Sequence, residues 1–168
     1  MIDECWLPEK EYLEEYGNDW TSYEDALYSI FKKDFIDTAP NFEGKVVQIR
    51  KYPIEFGKEE AFFHVTCQDY TKTRNRSPDL RRCERIRWVR AFIENYNCNP
   101  NLCDLCDGIK LWSEPYKSTS RVHLLFEEEK YIVVLERRPS YCLLITAYYI
   151  DHGHALEKKL KSYQVYKK

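Results

Sequence analysis

Residues 121–150 read RVHLLFEEEKYIVVLERRPSYCLLITAYYI, and this stretch decides the fold. Its apolar runs follow one another at hairpin spacing: 121–126, 131–136 and 141–150. Short runs rich in Val, Ile, Leu and aromatic residues between charged connections predict consecutive antiparallel strands. With a further strand predicted at 109–112, the stretch indicates a four-stranded antiparallel meander.

The segments around this meander add helices and two further strands. Helical spacing of apolar residues predicts helices at 23–37, 78–95 and 152–166, and alternation predicts strands at 45–51 and 61–67. The expected fold class is therefore α+β, with N-terminal helices packed on an antiparallel sheet of four or slightly more strands and a C-terminal helix. We expect an acidic arm and helix at 1–40 and a compact domain at 41–168.

Charge is distributed unevenly along the chain. Residues 3–25 hold nine acidic residues and one base, whereas residues 72–90 hold eight bases and two acidic residues. This contrast suggests a polyanion-binding surface, which the arm or an acidic partner would mask. The alternative reading is a solvated helix face.

Several classes of protein have no support in the sequence. There is no Gly-rich phosphate loop, Walker pattern or Gly-x-Ser-x-Gly motif, which argues against nucleotide and serine hydrolases. The apolar runs are too short to span a bilayer, and the acidic start lacks a secretory signal. We therefore expect a cytoplasmic protein that does not bind membranes.

The seven cysteines raise the question of a metal site. Their odd number without a secretory signal favours reduced thiols over disulfides. Four of them would present thiolates to zinc if they came together, namely Cys83, Cys98, Cys103 and Cys106. The alternative is a loop of unpaired thiols, and no other cofactor is expected.

Strand alternation assigns the polar side chains to faces of the predicted sheet. Arg121 and His123 share one face, and His64 lies on a face of the strand predicted at 61–67. Thr146 and Tyr148 are expected on the same face as Cys142 and Leu144. If these faces converge, imidazole, guanidinium, hydroxyl and phenol groups would meet beside the basic helix.

Such an inventory suits cleavage of RNA by its own 2′-hydroxyl. The reaction needs a base for the 2′ proton, an acid for the leaving 5′ oxygen, and cations around the phosphorus. Histidine carries protons near neutral pH, and arginine fits phosphate oxygens. Of the four histidines, His123 lies between core-forming neighbours, while His152 and His154 stand at an exposed helix start.

Trp112 with its turn and five stretches carry a resemblance to a known superfamily: GKEEAFFHVT (57–66), ERIRWVR (84–90), RVHLL (121–125), YIVVLER (131–137) and YCLLITAYY (141–149). In these stretches the chain resembles phage and prophage proteins of the Barnase–EndoU–colicin–RelE-like (BECR) nuclease superfamily. The resemblance covers roughly residues 45–166. It implies helices packed on a four-stranded antiparallel sheet, with metal-independent ribonuclease activity.

By position, the resemblance implies a role for each candidate residue. His64 becomes the general base or acid, Arg121 the phosphate holder, and Thr146 with Tyr148 a polar pair on the last strand. RNA binding is expected from the basic stretch, through Lys72, Arg74, Arg81, Arg82 and Arg85, with Arg85 facing the site. The cysteine-rich insertion at 98–106 departs from the superfamily pattern.

The expected function is an endoribonuclease that leaves a 2′,3′-cyclic phosphate. Many members of the superfamily act as toxins against tRNA, rRNA or mRNA, in conflict systems or toxin–antitoxin pairs. The resemblance therefore implies RNA, including tRNA, and an antitoxin or immunity protein as partners. The alternatives are a non-catalytic RNA-binding module and a protein-interaction module that uses the arm and the cysteine loop.

Overall fold

The protein is α+β, as the sequence predicts. Its structure is a computed structural model that describes residues 5–68, 77–101, 104 and 106–167. The α-helices are α1 (Trp20–Lys32), α2 (Glu60–Thr66), α3 (Leu80–Glu84), α4 (Ile86–Glu94) and α5 (Gly153–Tyr166). The strands are β1 (Asn41–Phe42), β2 (Lys45–Gln48), β3 (Cys67–Gln68), β4 (Ser77–Pro78), β5 (Lys110–Tyr116), β6 (Thr119–Phe126), β7 (Tyr131–Arg137) and β8 (Cys142–Tyr149).

The main sheet is larger than the predicted meander, and it is mixed. Strands β5 to β8 form the expected antiparallel meander, and the full order is β1-β2-β8-β7-β6-β5. Strand β2 pairs parallel with β8, with Val47 opposite Cys142, and β1 pairs antiparallel with β2. The prediction of a purely antiparallel sheet is therefore wrong at this edge, because alternation identifies a strand without naming its neighbour.

The two faces of the sheet are covered differently. One face packs on the main core, where side chains from α1 and α4 meet Val122, Leu124 and Val133. The other face carries a smaller cluster around Trp112, Leu125 and Ile132, against which α5 packs. No helix within the described ranges is both long and apolar enough to cross a bilayer.

The predicted helix at 78–95 is two helices. Asp79 caps α3, and its carboxylate accepts hydrogen bonds from the backbone N–H groups of Arg81 and Arg82 at 2.9 and 3.4 Å. The proline before it belongs to β4, which pairs with β3, so the helix starts later than predicted. The backbone leaves helical geometry at Arg85 (φ −105°, ψ 23°), and α4 begins at the next residue.

The predicted strand at 61–67 is wrong, because residues 60–66 form helix α2. Every residue of α2 except His64 is buried. A helix buried nearly all round lacks an apolar stripe, and a short apolar run cannot be assigned to helix or strand by periodicity alone. Tertiary burial therefore decides the conformation of this segment.

The acidic arm packs against α4 from residue 6 onward. The Trp6 ring meets Phe92 edge-on at 5.6 Å, and Trp88 Nε1 donates a hydrogen bond to the Pro8 carbonyl at 2.8 Å. The Glu11 carboxylate pairs with both terminal nitrogens of Arg87 at 2.8 and 3.2 Å. The arm thus neutralises one base of the basic stretch and covers part of the core.

Candidate active site

A cavity of about 650 Å³ opens on the sheet face that carries the smaller cluster. Its lining includes all four predicted catalytic residues: His64, Arg121, Thr146 and Tyr148. They come from three elements, α2, β6 and β8, that are far apart in the sequence. The structure therefore brings the predicted groups to one place.

The cavity is strongly cationic. Among the described residues, its lining contains five basic side chains and one carboxylate: Arg50, Arg82, Lys117, Arg121, Arg138 and Glu136. Guanidinium groups bind phosphate oxygens through parallel hydrogen bonds, and a concave wall concentrates their field. The lining is therefore suited to an anion with several oxygens, such as a phosphate.

His64 is paired with a carboxylate one helical turn earlier. Its Nε2 lies 2.9 Å from Oε1 of Glu60, which is itself buried. Residues four positions apart are neighbours on a helix, so this contact forms because the segment is helical, and the predicted strand did not indicate it. A buried carboxylate beside an imidazole orients the ring, as in catalytic sites where histidine acts as the base.

The C-terminal end of α2 is attached to its neighbours through its carbonyl groups. The Thr146 hydroxyl and the Arg82 guanidinium both donate to the His64 carbonyl at 3.0 Å, and Arg82 also donates to the Cys67 carbonyl at 2.7 Å. These bonds satisfy carbonyls that a helix end leaves without intrahelical partners. Thr146 and Arg82 thereby set the position of His64 against β8 and α3.

Arg121 is held by protein groups on two sides. Its Nε lies 3.6 Å from Oε1 of Glu136, and its guanidinium carbon lies 3.6 Å from the centre of the Tyr116 ring. Glu136 also accepts a hydrogen bond from Arg138 at 2.6 Å. Burial opposes ionisation of Glu136, but Arg138, Thr119 and Arg121 outweigh it and hold the pKa of the carboxyl below its usual value.

A β-bulge places the last two predicted residues in the cavity. Leu144 pairs with Leu135 and Thr146 with Val134, so Ile145 is an extra residue on β8. Alternation restarts after it, and Tyr148 pairs with Ile132 of the smaller cluster. The expectation that Thr146 and Tyr148 share a face with Cys142 and Leu144 is therefore wrong, since both of those lie in the main core.

The residues predicted to bind RNA are only partly at the cavity. Arg82 lines it, with its guanidinium 5.4 Å from the centre of the Tyr148 ring. Arg81 and Arg85 instead approach the Tyr149 ring, at 5.0 and 4.7 Å, beside the main core. Arg85 is 3% exposed, so the prediction that it faces the site is wrong. The two remaining residues, Lys72 and Arg74, lie outside the described residues.

The zinc hypothesis stays a prediction. Cys83 is fully buried in the main core and donates to the Thr66 carbonyl, with its pKa raised by burial. Cys98 and Cys106 are partly buried beside the same core, and Cys103 lies outside the described residues. In the part of the chain that the structure describes, no group of three His, Cys, Asp or Glu residues is placed to hold a metal ion.

His123 lies on the same sheet face but outside the cavity. Its ring stacks on Trp112 at 4.9 Å and 7°, and it is 6% exposed. Burial, with smaller contributions from Lys159 and Arg121, lowers the pKa of His123 to about 4, although the Glu114 carboxylate lies 3.3 Å from Nε2. This histidine is a neutral core residue.

The buried imidazole predicts sensitivity to acid. His123 takes up a proton near pH 6.5 in the unfolded chain and only near pH 4 in the folded chain. Its contribution to the free energy of unfolding is therefore complete above pH 6.5 and is lost as the pH falls toward 4. The loss at pH 4 should be about 2 to 3 kcal/mol. Urea unfolding at several pH values would show that His123→Gln, but not the exposed His152→Gln, flattens this dependence. An equal pH dependence of the free energy of unfolding in the wild type and in His123→Gln would contradict the lowered pKa of His123.

Several lining residues were missed because nothing local marks them. Arg50 follows β2, Lys117 occupies the β5–β6 turn with φ +52°, and Arg138 follows β7. An isolated base in a loop gives no sequence signal of a site. The contact between Glu60 and His64 was predictable from the sequence, because side chains four residues apart meet when the segment is a helix.

Comparison with known proteins identified no matching family, no matching curated protein and no matching solved structure. The geometry and charge of the cavity are therefore the basis for assigning a function.

Proposed function

We propose that the protein is a metal-independent endoribonuclease that cleaves RNA by attack of a 2′-hydroxyl on the adjacent phosphorus. The observation that carries the proposal is the lining of a single cavity by His64, Arg121, Thr146 and Tyr148 together with further cationic side chains. The resemblance to the BECR superfamily supports the same reaction from the sequence.

In this mechanism the His64–Glu60 pair accepts the 2′-hydroxyl proton as the oxygen attacks. The bond from phosphorus to the 5′ oxygen then breaks, leaving a 2′,3′-cyclic phosphate and a free 5′-hydroxyl. The cationic lining stabilises the charge that develops on the phosphoryl oxygens. Tyr148, whose side chain lines the cavity, would protonate the leaving oxygen, and Thr146 acts by positioning His64.

The proposal is tested by incubating the purified protein with total RNA in EDTA and analysing the product ends. We expect fragments with 2′,3′-cyclic phosphate and 5′-hydroxyl termini. A folded protein that leaves the RNA intact across a range of pH would reject the proposal.

A second candidate function is RNA binding without catalysis. It is favoured by the engagement of two predicted catalytic groups with the protein itself, Arg121 with Glu136 and Thr146 with the His64 carbonyl. Substituting His64 by alanine separates the two functions. A binding module has no cleavage to lose, whereas an enzyme loses rate while binding survives.

A further inference from the structure

A loop between β2 and α2 exposes three large apolar side chains. Tyr52 and Phe56 are each 75% exposed and Ile54 is 50% exposed. Single exposed apolar residues are scattered over most protein surfaces, whereas this loop exposes three large ones within five residues. Groups of exposed apolar side chains mark sites of interaction.

The loop is anchored at its base by backbone hydrogen bonds. The N–H groups of Glu60 and Ala61 donate to the carbonyls of Lys51 and Arg50 at 3.2 and 3.0 Å. Glu55 and Lys58 exchange two further backbone hydrogen bonds across the loop at 3.0 and 2.9 Å. These hydrogen bonds hold the backbone that carries the exposed side chains.

Side chains fasten the same loop to α1. The Tyr28 hydroxyl donates to Glu59 at 2.7 Å, and the Lys58 ammonium lies 5.4 Å from the centre of the Tyr28 ring. A surface that is held in shape before binding loses little conformational entropy when a ligand arrives. The loop is thus suited to present its rings to a partner.

The loop begins at the cationic wall of the cavity. Arg50 lines the cavity, and Tyr52 follows two residues later, so their Cα atoms lie within about 7 Å of each other. An aromatic surface next to a recess for phosphate is complementary to a strand of nucleotides, in which charged phosphates alternate with flat bases. The cations line a concave cavity, which admits a single strand more readily than a flat membrane surface.

We propose that Tyr52 and Phe56 stack with unpaired bases of the RNA whose phosphate occupies the cavity. The inference rests on the proposed function in one respect, that RNA is the ligand of the cavity. Bases within a duplex already stack on one another, so only single-stranded RNA offers free base faces to these rings. The substrate class is accordingly unpaired RNA in loops, bulges or single strands.

The test measures binding to a labelled single-stranded oligoribonucleotide with 2′-fluoro substitution, which cannot undergo the cleavage reaction. Tyr52→Ala combined with Phe56→Ala should weaken its affinity roughly 10- to 100-fold. The dependence of affinity on salt should stay unchanged, because the phosphate contacts remain. The exchanged pair Tyr52→Phe with Phe56→Tyr should keep wild-type affinity, as should the control Val165→Ala, which alters a side chain that is 72% exposed on α5.

Wild-type RNA affinity in the double alanine variant would overturn the inference. If that variant also lost a binding to anionic vesicles that the wild type shows, the loop would be assigned to a membrane. Ring-dependent binding without any cleavage of unmodified RNA by the wild type would support stacking while rejecting the proposed nuclease function, so the two failures are distinguishable.

Discussion

Replacing His64 with alanine is expected to lower the rate constant for RNA cleavage by roughly 100- to 10,000-fold, the usual contribution of a positioned proton carrier. The reason is its place in the cavity and its contact with Glu60 at 2.9 Å. RNA affinity should change little, because the cationic side chains of the lining remain. Single-turnover cleavage at saturating RNA and a separate binding titration measure the two quantities.

Added imidazole distinguishes a chemical role from a structural one. A small base entering the space left by His64 should restore part of the lost rate, whereas a merely misfolded site would not respond. His154→Ala is the matched control, since His154 is exposed at the start of α5 and should have no effect. Equal cleavage by His64→Ala and the wild type would exclude His64 as the proton carrier.

Glu60→Gln should produce a smaller loss than His64→Ala. The amide keeps the shape of the side chain but removes the negative charge beside the imidazole ring. A loss of cleavage in Glu60→Gln that exceeds the loss in His64→Ala would indicate that the carboxylate, and not the imidazole, is the base.

Replacing Trp88 with alanine is expected to lower the free energy of unfolding by about 3 to 5 kcal/mol, as for other large core residues. Trp88 is 2% exposed, stacks on Phe92 and meets Tyr131 edge-on at 5.6 Å. Its indole N–H also holds the arm through Pro8 at 2.8 Å. Urea unfolding followed by circular dichroism measures the loss.

Trp20→Ala is the matched control for this prediction. Trp20 is only partly buried at the start of α1, where it contacts Tyr23 at 5.8 Å. Its replacement removes less buried surface and should cost clearly less stability. A similar cost for the two substitutions would mean that Trp88 does not anchor the core and the arm as described.

The meander illustrates what local pattern predicts well. Strands β6, β7 and β8 begin and end within two residues of the predicted runs, because each is an apolar segment bounded by a charged or polar connection. The C-terminal helix was also predicted within one residue. These elements form where local preference and tertiary burial agree.

The last strand shows where pattern fails. Period-two alternation assigns faces correctly up to Leu144, but the extra residue Ile145 reverses every assignment after it. A bulge inserts one residue without a composition that announces it, so its effect on Thr146 and Tyr148 is visible only in the pairing with β7.

The sequence by itself determined the α+β class, the order of the strands in the meander and the short set of polar side chains worth testing, because these depend on local periodicity and residue chemistry. Only the tertiary structure decided that residues 60–66 are a helix, that β2 joins β8, and that Arg50, Lys117 and Arg138 meet His64 around one cavity. These depend on contacts between segments distant along the chain, which local preferences do not encode.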